Sequence, residues 1–384
     1  MTQAQTQTEA QELESGVAGD LRRDATGSAI NMFCVGTMYA LSVIQVELTR
    51  LFPDISYATS YQPLGCTSFG LAVGVALCPF LMDKFGPQAV AAWGTSIWGL
   101  SLLCGGYFLA GADLQAFLAS IGFGGLGVGC TYLAVITLMG QILPSQSLLR
   151  SSIGPLGFSS GAGASIAVSF MLNFNDLEIR EMGTLLQIGG SLFMVAGMVI
   201  FTLLRAPPKG QCQSKPEPVN FRIVAFYQVL LFFNALPGMV VFGALMSIAS
   251  HHFSDGSRLS SPSLLLGLTF ALALGGLLSP ALGSRIGSKG LFMFLFGTRA
   301  ALFLIFHQVP HSPVLLFLEL AVVLFGHGVG FSLLPKLLKA RLVGKDAHLA
   351  RPYSMVLVAW GMAGIAAQTI NSSLTPSSVP LFFY

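Results

Sequence analysis

Eleven stretches of the sequence are long and apolar enough to cross a bilayer, and this removes most of the folds open to a chain of 384 residues. They are 28–49, 61–82, 89–110, 114–141, 151–172, 183–204, 223–248, 263–283, 290–309, 313–335 and 352–370. A spanning helix needs about 20 mostly apolar residues, and its backbone polar groups must pair within the segment because hydrocarbon offers no partners. The chain is 53% hydrophobic and 9% charged, whereas a soluble domain is about 25% charged. That polar surface is too small to enclose eleven such stretches in a water-soluble globule. The sequence predicts an all-α, multi-pass integral membrane protein with the lipid bilayer as part of its solvent.

Lys and Arg stay on the cytosolic side of membrane proteins, and this orients the spans. With the amino terminus inside, fifteen of the 19 fall on inner segments. Three (Arg50, Arg180 and Arg258) fall outside, and Arg299 lies within a span. The polar residues 1–27, with Glu9, Glu12, Glu14 and Asp20, read as a disordered cytosolic tail. The longest connection, 205–222, carries Pro207, Pro208, Pro216 and Pro218 and reads as a cytosolic linker between two bundles, 28–204 and 223–384. The six cysteines show no CxxC or Cys/His metal spacing, so five read as small apolar packing residues. No metal, cofactor or nucleic-acid partner is expected.

The two bundles are copies. Residues 69–86, FGLAVGVALCPFLMDKFG, match 270–287, FALALGGLLSPALGSRIG, at eight of eighteen positions with a constant offset of 201. The same offset pairs Gly125–Gly129 (GLGVG) with Gly326–Gly330 (GHGVG), and Arg150 with Arg351. One ungapped offset across four spans indicates two parallel halves, the arrangement in which a solute site lies between halves near the bilayer midplane. The sixth span begins near 183, and adding 201 reaches residue 384. The expected architecture is therefore six plus five spans, with the twelfth missing. From this we expect a longer form or reduced stability.

The turn after the second span of each half carries a motif. It reads PFLMDKFGPQ (Pro79 to Gln88) in the first half and PALGSRIGSK (Pro280 to Lys289) in the second. With the two parallel halves, this turn resembles the loop of the major facilitator superfamily, whose pattern is Gly-x-x-x-Asp-Arg/Lys-x-Gly-Arg-Arg/Lys. Asp83, Lys84 and Gly86 match in the first copy; Arg285 and Gly287 match in the second, where Ser284 replaces the acid. The resemblance implies that these residues form a conformational switch, Asp83 clamping a neighbouring helix in the outward-open state. GTMYALSVIQVEL (Gly36 to Leu48), DKFGPQ (Asp83 to Gln88) and GVGCTYLAVITLMGQILPSQ (Gly127 to Gln146) are similar to the oxalate/formate antiporter and monocarboxylate transporter branch. That implies secondary active transport of a small organic anion by alternating access, with a co-transported proton or an exchanged anion. Members of that branch hold carboxylates with cations on the eighth or eleventh span, and here neither span contains Lys, Arg or His. An amino acid or neutral metabolite is the alternative solute, and a non-transporting, receptor-like or truncated member is the alternative class. No catalytic constellation or phosphate loop points to an enzyme.

Ionisable groups within spans cost several kcal/mol unless paired. Arg299 and Glu319 lie at similar distances from the turn near Pro310 and are expected to form an ion pair. His327, between two glycines on the tenth span, suits proton coupling or anion binding. It leads the solute-contact candidates together with Asn31, Tyr39, Ser42, Thr131, Tyr132, Asn234 and Ser332. Ser159, Ser160, Ser165, Thr269, Trp360 and Gln368 follow. Gly157-x-x-x-Gly161 and Gly70-x-x-x-Gly74 read as helix-packing notches. Asn371-Ser372-Ser373 is a glycosylation sequon expected on the outer side.

Overall fold

The computed structural model describes residues 3–60, 62–142, 148–172, 177–205, 220–252, 261–306, 313–342 and 349–373. Every regular element among them is helical. The first span is broken into α1 (Gln3–Gly36), a 3₁₀ turn (Thr37–Ala40) and α2 (Leu41–Leu51), and a short α3 (Tyr57–Ser60) follows. The first half continues with α4 (Gln62–Phe85), α5 (Pro87–Ala110), α6 (Leu114–Ile142), α7 (Leu148–Met171) and α8 (Ile179–Leu203). The second holds α9 (Phe221–His252), α10 (Ser261–Ile286), α11 (Ser288–Phe306), α12 (Pro313–Arg341) and α13 (Ala350–Ser373). Nine of the described helices have the length and apolarity of a membrane span, and α7 and α11 occupy the two remaining stretches. Residues 374–384, which follow the last expected span, lie outside the described residues, as does most of the linker.

The offset of 201 is visible in the backbone. α4 and α10 end at Phe85 and Ile286, and each carries an internal proline at the paired positions Pro79 and Pro280. The next residues, Gly86 and Gly287, turn with φ of 84° and 74°. A side chain strains that left-handed region, so both copies of the motif need glycine there. The amino-terminal boundary differs from expectation: α1 is helical from Gln3, and Asp24 and Ser28 are already buried within the segment read as a tail and the start of the first span. The Ala, Gln, Glu and Leu of that segment favour helix as much as their polarity favours water.

α5 packs between α6 and α8, while α4 lies along α6 and α10 along α12. Glycine lets these backbones touch. A Cβ on Gly70 would lie 2.0 Å from the Gly122 carbonyl oxygen, and one on Gly161 1.9 Å from that of Phe33. The notches read in the sequence are helix contacts, α4 to α6 and α7 to α1. The halves meet where α4 packs along α13 and α7 along α10. Buried apolar side chains run through both halves as one continuous core. The outer face of α8 exposes Ile188, Leu192, Val195 and Met198, as a lipid-facing helix must.

Candidate functional site

The 3₁₀ turn breaks the first span where Gly36 meets the Phe158 carbonyl of α7, and this sets Tyr39 between the halves. Its ring stacks on Phe242 of α9 at 4.1 Å and 9°, and its hydroxyl lies 3.4 Å from Nε2 of His327 on α12. Beside it Tyr132, Phe158, Phe331 and Trp360, one each from α6, α7, α12 and α13, meet edge to face. Centroid separations run from 4.9 Å for Phe331–Trp360 to 6.1 Å for Tyr132–Phe331. These rings, with Pro155, Ser159, Leu272, His327 and Gly328, line a cavity of about 20 Å³. That holds a water molecule rather than a metabolite, so the halves are closed on each other here.

Behind the cavity wall lies a buried polar network. Asn234 of α9 donates Nδ2 to the His327 carbonyl at 3.3 Å. Arg299 reaches in from α11. Its Nη1 donates to the Asn234 carbonyl and Oδ1, both at 3.3 Å, and its Nη2 to the Val323 carbonyl at 2.8 Å. Its Nε has no partner. Residues 299, 234 and 327 are all at least 97% buried. The expected ion pair is absent: among the described residues no carboxylate lies within 4.0 Å of Arg299, and Glu319 is buried with Oε2 unpartnered. Side chains on a helix lean toward its amino terminus. Arg299 on α11 therefore leans away from the connection to α12, and Glu319 on α12 leans toward it. Equal spacing from the turn becomes a splay, and the guanidinium lands beside Val323 and Gly326.

Several of the other expected solute contacts are helix ties. Asn31 accepts from Thr95 at 2.6 Å, Thr131 donates to Ala91 at 3.0 Å and Ser332 to Gly276 at 3.0 Å. The Ser42, Ser165 and Thr269 hydroxyls bond backbone carbonyls three or four residues earlier, as serine and threonine in spans commonly do. Of the leading candidates Tyr39, Tyr132 and His327 line the cavity and Asn234 backs it; Ser159 and Trp360 also belong to it. A search for polar groups missed Phe158 and Phe331, whose aromatic rings in otherwise aliphatic and glycine-rich spans were the available signal. Asn371 is 1% exposed and donates to the Val240 carbonyl, so the sequon does not present its asparagine for glycosylation.

At one end of the bundle the halves are joined by charge. Asp83, in the last turn of α4, accepts from Arg351 in the first turn of α13 at 2.7 Å. Lys84 lies over the Phe85 ring and Arg285 is exposed in the last turn of α10. Ser284, the repeat partner of Asp83, bonds its own helix at Ala281, so the second copy lacks the carboxylate half of this link.

Two related helical halves of parallel orientation, closed over a cavity and linked by a charge pair at one end, define a multi-pass membrane protein of the carrier type. Residues 25–368 match the model of the Major Facilitator Superfamily, and the chain belongs to that family. Solved structures agree in fold. The inward-open xylose transporter XylE from E. coli is 14% identical over 94% of this chain and 93% of that one, with a TM-score of 0.69. A point mutant of the nucleoside transporter NupG is 16% identical over 92% and 91%, with a TM-score of 0.66. FucP in its outward conformation is 13% identical over 94% and 97%, with a TM-score of 0.64. A comparison with curated protein sequences returned no match.

Proposed function

We propose that the chain is a secondary transporter that carries a small, monocarboxylate-like organic anion by alternating access, with its amino terminus and the Asp83 end in the cytosol. The observation that carries this reading is Arg299. An unneutralised guanidinium, buried one hydrogen bond from the Asn234 side chain that holds the His327 segment of the cavity wall, is costly unless an anion shares its surroundings for part of the cycle. The closed cavity supports the cycle, because a solute enters only when the halves part. The counter-charge is a co-transported proton or an exchanged anion, and buried Glu319 supplies a proton-carrying group in the first case. The bias of Lys and Arg to one side supports the orientation.

A neutral or zwitterionic solute is the second reading, because among the described residues no Lys or Arg side chain lines the cavity itself. Uptake by the purified protein in liposomes, across labelled monocarboxylates, amino acids and sugars, separates the two. Arg299→Met is expected to lower monocarboxylate uptake by about a hundredfold, the worth of a charged hydrogen bond or two, with Arg299→Lys retaining more. Uptake confined to neutral solutes, and indifferent to Arg299, would overturn the anion reading.

A further inference from the structure

At the end of the bundle opposite Asp83, three amides from the two halves collect around α9. Gln45 of α2 donates Nε2 to the Gly243 carbonyl at 3.2 Å. Asn371 of α13 donates Nδ2 to the Val240 carbonyl at 3.2 Å. Gln368, one turn before Asn371, lies against the same glycine: a Cβ on Gly243 would sit 2.7 Å from Gln368 Nε2 and 2.2 Å from Asn371 Nδ2. The first half closes the cluster through Gly65 of α4, which packs on the Gln368 side chain. Gln45, Gln368 and Asn371 are 2%, 5% and 1% exposed.

The two bonds to carbonyls fix how the amides face. A carbonyl accepts only from the NH2 end, so Gln45 Oε1 and Asn371 Oδ1 are the free ends, and neither has a partner. Gln368 uses neither its Oε1 nor its Nε2. The unused capacity is therefore three oxygen acceptors, both N–H groups of Gln368 and the second N–H of Gln45 and of Asn371. A buried amide left unmatched opposes closure of this end, and a group that donates hydrogen bonds removes that opposition. A bare carboxylate, which only accepts, can take the N–H groups but leaves the three oxygens unmatched.

We propose that Gln45, Gln368 and Asn371 form a second solute subsite that recognises a hydroxyl or amine on the transported molecule. Resting on the anion reading above, this names the substrate class as hydroxy- or amino-carboxylates. Gln368 lies eight residues beyond Trp360, about 12 Å along α13, so a small solute touches the two sites in turn. It meets the amides as the halves part at this end, then passes to the cavity beside His327. The two halves share the site, with Gln45 on one side and Gln368 and Asn371 on the other, so it assembles and comes apart with the transport cycle.

The test is uptake of labelled propionate, 2-hydroxypropionate and 2-aminopropionate by the full chain in liposomes. The hydroxy or amino acid is expected to exceed propionate by about tenfold or more in kcat/KM, as for a site built to pair a donor. Gln368→Met should bring that preference down toward unity. Gln45→Met, in the other half, should do the same and guards against a folding defect in the first variant; melting of each purified protein reports its folding. Equal uptake of all three acids by the unaltered chain, or a preference that survives both substitutions in folded protein, overturns the subsite while leaving the anion reading intact. Uptake of none of the three removes both.

Discussion

The charges decide more than their number suggests. Asp83 and Arg351 are 58% and 44% exposed, so their pair adds at most about 1 kcal/mol to stability. It joins the halves at one end only, so the consequence we expect is conformational. Asp83→Asn is expected to leave the melting temperature almost unchanged while slowing uptake severalfold; unchanged uptake velocity would show that the pair is not a clamp. The acid, the base and the turn glycine of this motif were legible in the sequence. Arg351 as the partner was not, because 268 positions separate it from Asp83. Arg299 shows the opposite failure. Its depth could be counted from the turn, but the lean of its side chain could not, and the lean determines whether it meets Glu319 or Asn234.

Glycine governs the elements. α1 and α7 touch along Gly36, Gly157 and Gly161, where added Cβ atoms would meet Phe158, Met32 and Phe33. Gly161→Val should destabilise the purified protein by about 1–3 kcal/mol or more, the cost of overpacking a well-filled contact, read as a lowered melting temperature. Gly189 on the lipid face of α8 has nothing within 4 Å, so Gly189→Ala serves as the control and should gain up to about 1 kcal/mol from helix propensity. Equal melting shifts for the two would mean that α1 and α7 do not approach as closely as described. The spacing of these glycines was readable as notches. Their partners were not, because a notch carries no information about which carbonyl fills it.

At the scale of the whole molecule, the described residues link the halves toward both ends. Asp83–Arg351 joins the halves at one end, and Gln45–Gly243 joins them at the other. α7 and α10 also meet across the halves, where a Cβ on Gly163 would lie 3.5 Å from that of Thr269, within the range for a disulfide. In protein whose six native cysteines are replaced, oxidised Gly163→Cys/Thr269→Cys should lose uptake and regain it on reduction. Full uptake by the cross-linked form would rule out a cycle in which these helices separate. The sequence by itself determined the helical class, the spans, the duplication and the turn motif, because each is written in local apolar length or in a constant offset between copies. Only the tertiary structure decided which side chains face the cavity, where the Arg299 charge rests and which amides gather around Gly243. Those outcomes depend on side-chain direction and on helix crossing between segments far apart in the chain, and neither is encoded in spacing along one chain.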